Sequence, residues 1–574
     1  MRRLRAISKY AIIGIVVVLI IIAAVAIFLM QAPPPEEKPS PSPSPTTSTT
    51  PPTTPPTTTE KPTKVELTGD FEKDVVEVGK ALEANGVSEV TYSVWSGGDP
   101  NSVMRVLGIV EAANRINKIW SDNGVNVRIE IETRYERDPG AIYNEYLSKQ
   151  PLGQAGDFFV NSYIYISTLA EEGYILDITD YANKYSDLLN DFYSTILDAM
   201  KWKGKLYGLP QDTEARPLYF RKDVAACAGL DLTGLADKVK NGEFTWSDVY
   251  SWAKQAKDTG CAEWGLIHRK GSAHPDLIQF IYAFGGELYN PDTGKLVIDK
   301  EAIYKWLYVE WKMARDGLIP ENMMEWDWGT QIHPTTVNGK TLVFIGGTWH
   351  WTEWQTRSYY TDPTTGEPRG LKAEEVKEFF YYTLFPAGEH GKNPVTLSQP
   401  YAWMINSRAG EKNPNYDTLK ELYHELAFLI LVKASDPDIN AIHSIISAHL
   451  PVRKAAAQLI ADENWVNKLK NLEIELSDEV KEQIRDIVEA TVNPINTEFL
   501  ADVSYMLDYT HTTPIHPLYP KLADILKDAV DMVLRNQMDP AAAVQYIIDT
   551  VNADPDLAAE VEVVGEIPSG WSYP

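Results

Sequence analysis

Cysteine is scarce, with only Cys227 and Cys261 in 574 residues. A disulfide framework is therefore excluded, and spacing alone does not say whether the two pair. No Asn-x-Ser/Thr triplet occurs, so N-glycosylation is not expected. Enzyme signatures are missing too. Gly339-Lys340-Thr341 ends like a P-loop, but Pro334 stands where the upstream glycine belongs. His424-Glu425 opens like a zincin helix, but Phe428 replaces the second histidine, and no Gly-x-Ser-x-Gly is present. Asn290 to Glu301 has a faint calcium-loop pattern, with Lys295 at the required glycine; a hairpin explains it better. No catalytic set, metal site or cofactor is expected. Positive charge is also short. Past residue 64 the chain has 46 basic and 77 acidic residues, which makes nucleic acid and anionic lipid poor partners.

The uncharged, apolar run 11–30 is 20 residues long and is preceded by Arg2, Arg3, Arg5 and Lys9. At helical rise it spans roughly 30 Å of hydrocarbon, and its basic flank (1–10) belongs inside, so the rest is expected outside the cell. A cleaved secretory signal is the rival reading. Arg5-Ala6-Ile7-Ser8 resembles the cleavage site of archaeal pilin-like signals, which leaves the helix on the mature chain. Residues 31–64 read as a stalk: from 33 to 64 there are 12 prolines and 14 serines or threonines, a composition that cannot bury a core and favours extended polyproline II. Clustered Ser and Thr suggest O-glycosylation there.

Beyond the stalk, extended segments at 89–94, 125–133 and 157–160 alternate with helical spacing at 103–120 and 163–172. This βαβα order predicts a mostly parallel sheet with a ligand site at its carboxyl edge, near Trp95 and near Asn161, Ser162 and Tyr163. A second α/β block follows residue 207, with strands at 341–345 and 381–384. Then come a strand at 401–405, an apolar helix at 419–434 and a final helix pair at 522–535 and 541–552.

Several motifs in this order carry a resemblance. Gly173-Tyr174-Ile175-Leu176-Asp177-Ile178-Thr179 is followed by Tyr207-Gly208-Leu209-Pro210 and by Glu214-Ala215-Arg216-Pro217-Leu218-Tyr219-Phe220-Arg221-Lys222-Asp223. Further on stand Phe244-Thr245-Trp246, Asn338-Gly339-Lys340 with Gly347-Thr348-Trp349, and Leu450-Pro451-Val452-Arg453. Over 88–552 the chain resembles the family 1 solute-binding proteins of ABC importers. The resemblance implies an α/β, type II periplasmic-binding-protein-like fold of two lobes joined by a hinge. Lobe 1 is expected at 65–218 and 387–509, and lobe 2 at 219–386 and 510–560. Crossings fall near 218–221, 385–388 and 509–516. It implies a receptor for a sugar or oligosaccharide that works with a permease and ATPase subunits and performs no chemistry. A surface glycoside hydrolase, or a receptor for a peptide or another non-sugar solute, is the alternative.

Sugars present apolar C–H faces ringed by hydroxyls, so a receptor needs aromatic platforms with carboxylates or amides beside them. Trp349 occupies the family's stacking position. Glu214, with Asp212 two residues earlier, falls where the family uses an acid near the hinge. Trp328 in Trp326-Asp327-Trp328 and Tyr401 after Gln399-Pro400 complete the expected set. Leu522 stands near the place of a second stacking Trp in maltose-binding members, so the resemblance does not imply maltose itself.

Overall fold

The computed structural model describes residues 61–269 and 275–572. The basic flank, the anchor with its pilin-like site and the stalk as far as residue 60 lie outside the described residues. No described helix is long and apolar enough to cross a membrane.

Two mixed α/β lobes are each built on a sheet. In the first, the strand order is Arg128–Glu136, Glu89–Gly97, Phe158–Ser162, Tyr401–Ile405 and Leu209–Asp212. The first three strands run parallel, and Tyr401–Ile405 lies antiparallel between its neighbours. Burial follows sequence: Phe158–Ser162 is buried throughout and central, while Arg128–Glu136, with five charged residues, forms the edge. Helix Met104–Asp122 covers this sheet with Val106, Leu107, Ile109, Val110, Ile116 and Trp120. Asp70 caps the preceding helix, Phe71–Ala84, by accepting from the Lys73 amide at 3.2 Å.

The second sheet orders Phe380–Thr383, Leu218–Arg221, Thr341–Ile345 and Trp264–Ile267. Its two inner strands are fully buried. Strands at 341–345 and 401–405 stand where hydrophobic spacing puts them. The strand at 264–267 has no counterpart in the sequence reading, because its four residues are too few to show a period.

The chain changes sheets at 213–217, so the 218–221 segment expected to cross is instead a strand of the second sheet, paired with 343–345 and 380–383. It returns through 384–400. The last passage starts early: helix Pro494–Ser504 already packs on Ala373–Phe379 of the second lobe. Thr396–Ser398 and Thr510–Thr512 pair in parallel where two of these passages meet. Cys227 and Cys261 form a disulfide within the second lobe.

Candidate ligand-binding cleft

A cavity of about 840 Å³ opens between the lobes, and its walls are the strand ends of both sheets. Gly98 and Asp99 follow Glu89–Gly97, Asn161 and Ser162 end Phe158–Ser162, and Tyr401 pairs with Ser162 in antiparallel register. From the second lobe, Arg269 follows Trp264–Ile267 and Trp349 follows Thr341–Ile345.

Arg105, in the first turn of Met104–Asp122, organises the first wall. Its Nε donates to Asp212 Oδ2 at 2.8 Å, one Nη donates to the Gly97 carbonyl at 3.0 Å, and the guanidinium lies 3.5 Å from the Tyr401 ring centroid. Gly98 makes room for it: at φ +145° a side chain is strained, and a Cβ there would stand 2.3 Å from the Arg105 Nη1. His443 Nε2 is 3.0 Å from the same Asp212 oxygen. Burial raises the Asp212 pKa, but Arg105, His449 and His443 outweigh it and hold the carboxyl well below its usual range.

Trp349 anchors the second wall. Arg216 and Arg269 each lie 4.8 Å from its ring centroid, and both donate to Asp276. Arg216 also donates to Glu214 at 2.7 Å. The His449 ring lies nearly parallel to the indole at 5.6 Å. Only glycine fits at 347, where a Cβ would overlap the indole at 1.7 Å.

Two clusters carry metal-ligand residue types: Asp212 with His443 and His449, and His333 with His350 and Glu353. Neither is arranged as a ligand set. Arg105 occupies Asp212. The Trp354 indole, which can only donate, points its N–H at His333 Nδ1 at 3.2 Å, so neutral His333 carries its proton on Nε2, facing Glu353 at 3.7 Å. Burial, with Arg137 and Arg269 nearby, lowers His333 to about 3 and keeps it neutral.

Of the residues picked from sequence, Asn161, Ser162, Glu214, Trp328, Trp349 and Tyr401 line this cavity. Three others do not. Trp95 sits inside its strand, two residues short of the carboxyl end, with its ring edge-on to Tyr146 and under Arg134. Tyr163 turns to the hinge and donates to the Thr513 carbonyl at 2.9 Å. Asp212 lies one layer behind, under Arg105. Sequence reasoning missed Arg105, Arg216, Arg269, His333, His350, Glu353 and His449, all of which line the cavity. Arg216 had a signal: two residues beyond Glu214 in extended chain, it faces the same side.

Residues 122–414 match the family described as bacterial extracellular solute-binding protein. The chain belongs to this family. A maltodextrin-binding protein of Bacillus subtilis is 24% identical over 248 residues, covering 40% of this chain and 51% of the relative. A maltotriose-binding protein of Pyrococcus abyssi is 22% identical over 224 residues, covering 38% and 43%. The chain thus spans about half the length of the curated relatives it matches. Two solved structures share the fold. The GacH receptor of Streptomyces glaucescens has TM-score 0.58 and 13% identity over 83% of this chain and all of that one. A maltotriose-bound MalE domain from Bdellovibrio bacteriovorus has TM-score 0.55 and 18% identity over 80% and 98%.

In this solute-binding protein the lobes touch at the cleft edge. Arg137, past the first-lobe strand Arg128–Glu136, donates to Tyr359 at 2.7 Å and to the buried Glu353 at 3.1 Å, and the Thr356 hydroxyl donates to Asn101 at 2.9 Å. Arg137→Ala is expected to raise the ligand-free radius of gyration in small-angle scattering and to weaken ligand affinity by about 1 kcal/mol. An unchanged radius would show that these contacts do not hold the lobes together.

Burial pushes the Glu214 carboxyl from 4.5 up to about 7 against the pull of Arg216. The folded state therefore binds this proton more tightly than the unfolded chain, and the Glu214 contribution to stability falls as pH rises from 4.5 to about 7. Glu214→Gln removes that dependence, so the variant should gain stability relative to wild type between pH 5 and pH 8 in denaturant titrations. A pH-independent difference would contradict the assignment.

Proposed function

We propose that this chain is the substrate receptor of an ABC importer: it takes a sugar or oligosaccharide between its lobes and delivers it to a membrane permease served by ATPase subunits. Binding involves no chemistry. The hydrophobic segment 11–30 holds the receptor on the outer face of the cell membrane, and the Pro/Ser/Thr stretch gives it reach. The observation that carries this reading is the interlobe cavity, in which the aromatic rings of Tyr165, Trp328, Trp349 and Tyr401 alternate with carboxylates and guanidiniums. That mixture suits ligands with apolar faces and hydroxyl edges. Asn161, Ser162, Glu214, Trp328, Trp349 and Tyr401 are the proposed contacts. Trp95, Tyr163 and Asp212 support them from behind.

Calorimetric titration with maltotriose, cellotriose, mannotriose and galactotriose tests the reading. Trp328, half-buried at the cavity wall, offers a cleaner probe than Trp349, whose 7% exposure means that truncation also costs stability. Trp328→Ala should weaken binding by roughly 1–3 kcal/mol with a small change in melting. Release of reducing ends from these sugars by the purified protein would overturn a purely binding role.

A further inference from the structure

The charges around the cleft discriminate among sugars, if sugars are what it binds. Five basic residues line it: Arg105, Arg137, Arg216, Arg269 and Lys527. All four guanidiniums already hold carboxylates of the protein: Arg105 with Asp212 at 2.8 Å, Arg137 with Glu353 at 3.1 Å, Arg216 with Glu214 at 2.7 Å and with Asp276, and Arg269 with Asp276. Two guanidiniums thus share one acid, but that acid has both its oxygens engaged and is fully buried.

The acids outnumber the bases. Asp99, Asp138, Glu214, Asp327 and Glu353 line the same cavity, and Asp212 and Asp276 stand directly behind it. Among the described residues neither Asp99 nor Asp138 is in an ion pair. Asp99 accepts from the Asn101 amide at 3.0 Å and from Ser102, and Asp138 accepts from the Gly140 amide at 2.9 Å and the Ala141 amide at 3.2 Å. Lys527 is the one lining cation without an ion pair among the described residues.

We infer that this cleft selects uncharged oligosaccharides and rejects those bearing carboxylate, phosphate or sulfate. An incoming anion finds the guanidiniums already paired with carboxylates, with Lys527 the one unpaired cation in the lining among the described residues, and it must approach the half-buried Asp99 and the exposed Asp138. A neutral sugar meets no such barrier. Its hydroxyls can donate to the carboxylates and accept from guanidinium N–H groups that remain held in ion pairs. Asp99 is the residue that sets the rejection most directly, because it lines the cavity half-buried and without an ion pair among the described residues, whereas Asp138 is exposed.

The inference rests on the sugar-receptor reading, and one experiment separates the two. Maltotriose, cellotriose, mannotriose and galactotriose are titrated beside their counterparts oxidised at C6 to the carboxylate, at 50 and 500 mM NaCl. The expected result is a neutral binder whose affinity is insensitive to salt, an oxidised counterpart at least 100-fold weaker, and a ratio between the two that Asp99→Asn narrows at least fivefold. An oxidised sugar that binds as well as its neutral parent, with affinity falling as salt rises, overturns the charge inference and leaves the sugar receptor standing. A gap that Asp99→Asn leaves unchanged overturns the role of Asp99. No binding by any of the eight ligands overturns the sugar reading and the inference with it.

Discussion

Arg105→Ala is expected to lower the unfolding free energy by about 3–5 kcal/mol, the cost of leaving one partner of a buried ion pair without its counter-charge. Arg105 is 2% exposed and Asp212 fully buried. One Asp212 oxygen already has no hydrogen-bond partner among the described residues, so after the substitution the carboxylate would be left with His443 and His449 beside it. The Gly97 carbonyl and the Tyr401 ring lose their support in the same step. Arg105→Lys should recover only part of the loss, because an ammonium cannot serve Asp212, Gly97 and the Tyr401 face at once. The sign of the pH dependence follows from Asp212. A carboxyl held below its ordinary range stabilises the fold above its unfolded pKa of about 4, and that contribution disappears only in stronger acid. The cost of Arg105→Ala should therefore be level from pH 5 to pH 8 and shrink below about pH 4. Chemical denaturation across this range measures it, and a loss under 1 kcal/mol at pH 7 would mean that Asp212 is solvated. The double variant Arg105→Met with Asp212→Asn gives the control: removing both charges should cost less than removing Arg105 alone.

Arg105 also shows where sequence reading stops. In the chain it is a cation in the first turn of a helix, a position that is usually solvated, and the acid that buries it lies 107 residues away. Nothing local ties them. Arg269 is hidden for a different reason: the rule that sites gather at carboxyl strand ends points to it, but the strand that ends there is only Trp264–Ile267. Trp349, Glu214 and Tyr401 were legible because each follows an ordered landmark: a Gly-rich strand exit, a Tyr-Gly-Leu-Pro turn or a Gln-Pro step. Trp95 misled for a reason of one residue class. A Trp before Ser-Gly-Gly looks like the end of a strand, but the pairing with Arg128–Glu136 runs on through Gly97, so the carboxyl edge falls to Gly98 and Asp99. The parallel part of the first sheet was legible in the βαβα alternation, and the two-lobe fold was implied by the order of the motifs that carry the family resemblance. The passages between lobes were legible only approximately, since the hydrophobic pattern of Leu218–Arg221 is the same for a crossing segment and for a buried strand.

The Cys227–Cys261 disulfide has an expected effect almost as large as that of Arg105, in a different part of the molecule. It ties the end of helix Lys222–Cys227 to the turn after helix Trp246–Asp258 across 34 residues. Chain entropy for a loop of that length gives about 4 kcal/mol of stabilisation from restricting the unfolded chain. Neither cysteine lines the cleft. The double variant Cys227→Ser with Cys261→Ser should therefore lose stability by about that amount while keeping its ligand affinity within about twofold at 25 °C. Reduced wild type should fall on the same denaturation curve as the variant. Coincident curves for oxidised wild type and variant would mean that the bridge does not form, and a loss of affinity in step with stability would mean that the second lobe transmits strain from its outer helices to Trp349. The bridge also bears on location, because a disulfide of this kind persists in an oxidising compartment and is reduced in most cytosols. A protein isolated from its native cells with both cysteines protected from alkylation would place the second lobe outside the cell on chemical grounds independent of the N-terminal segment.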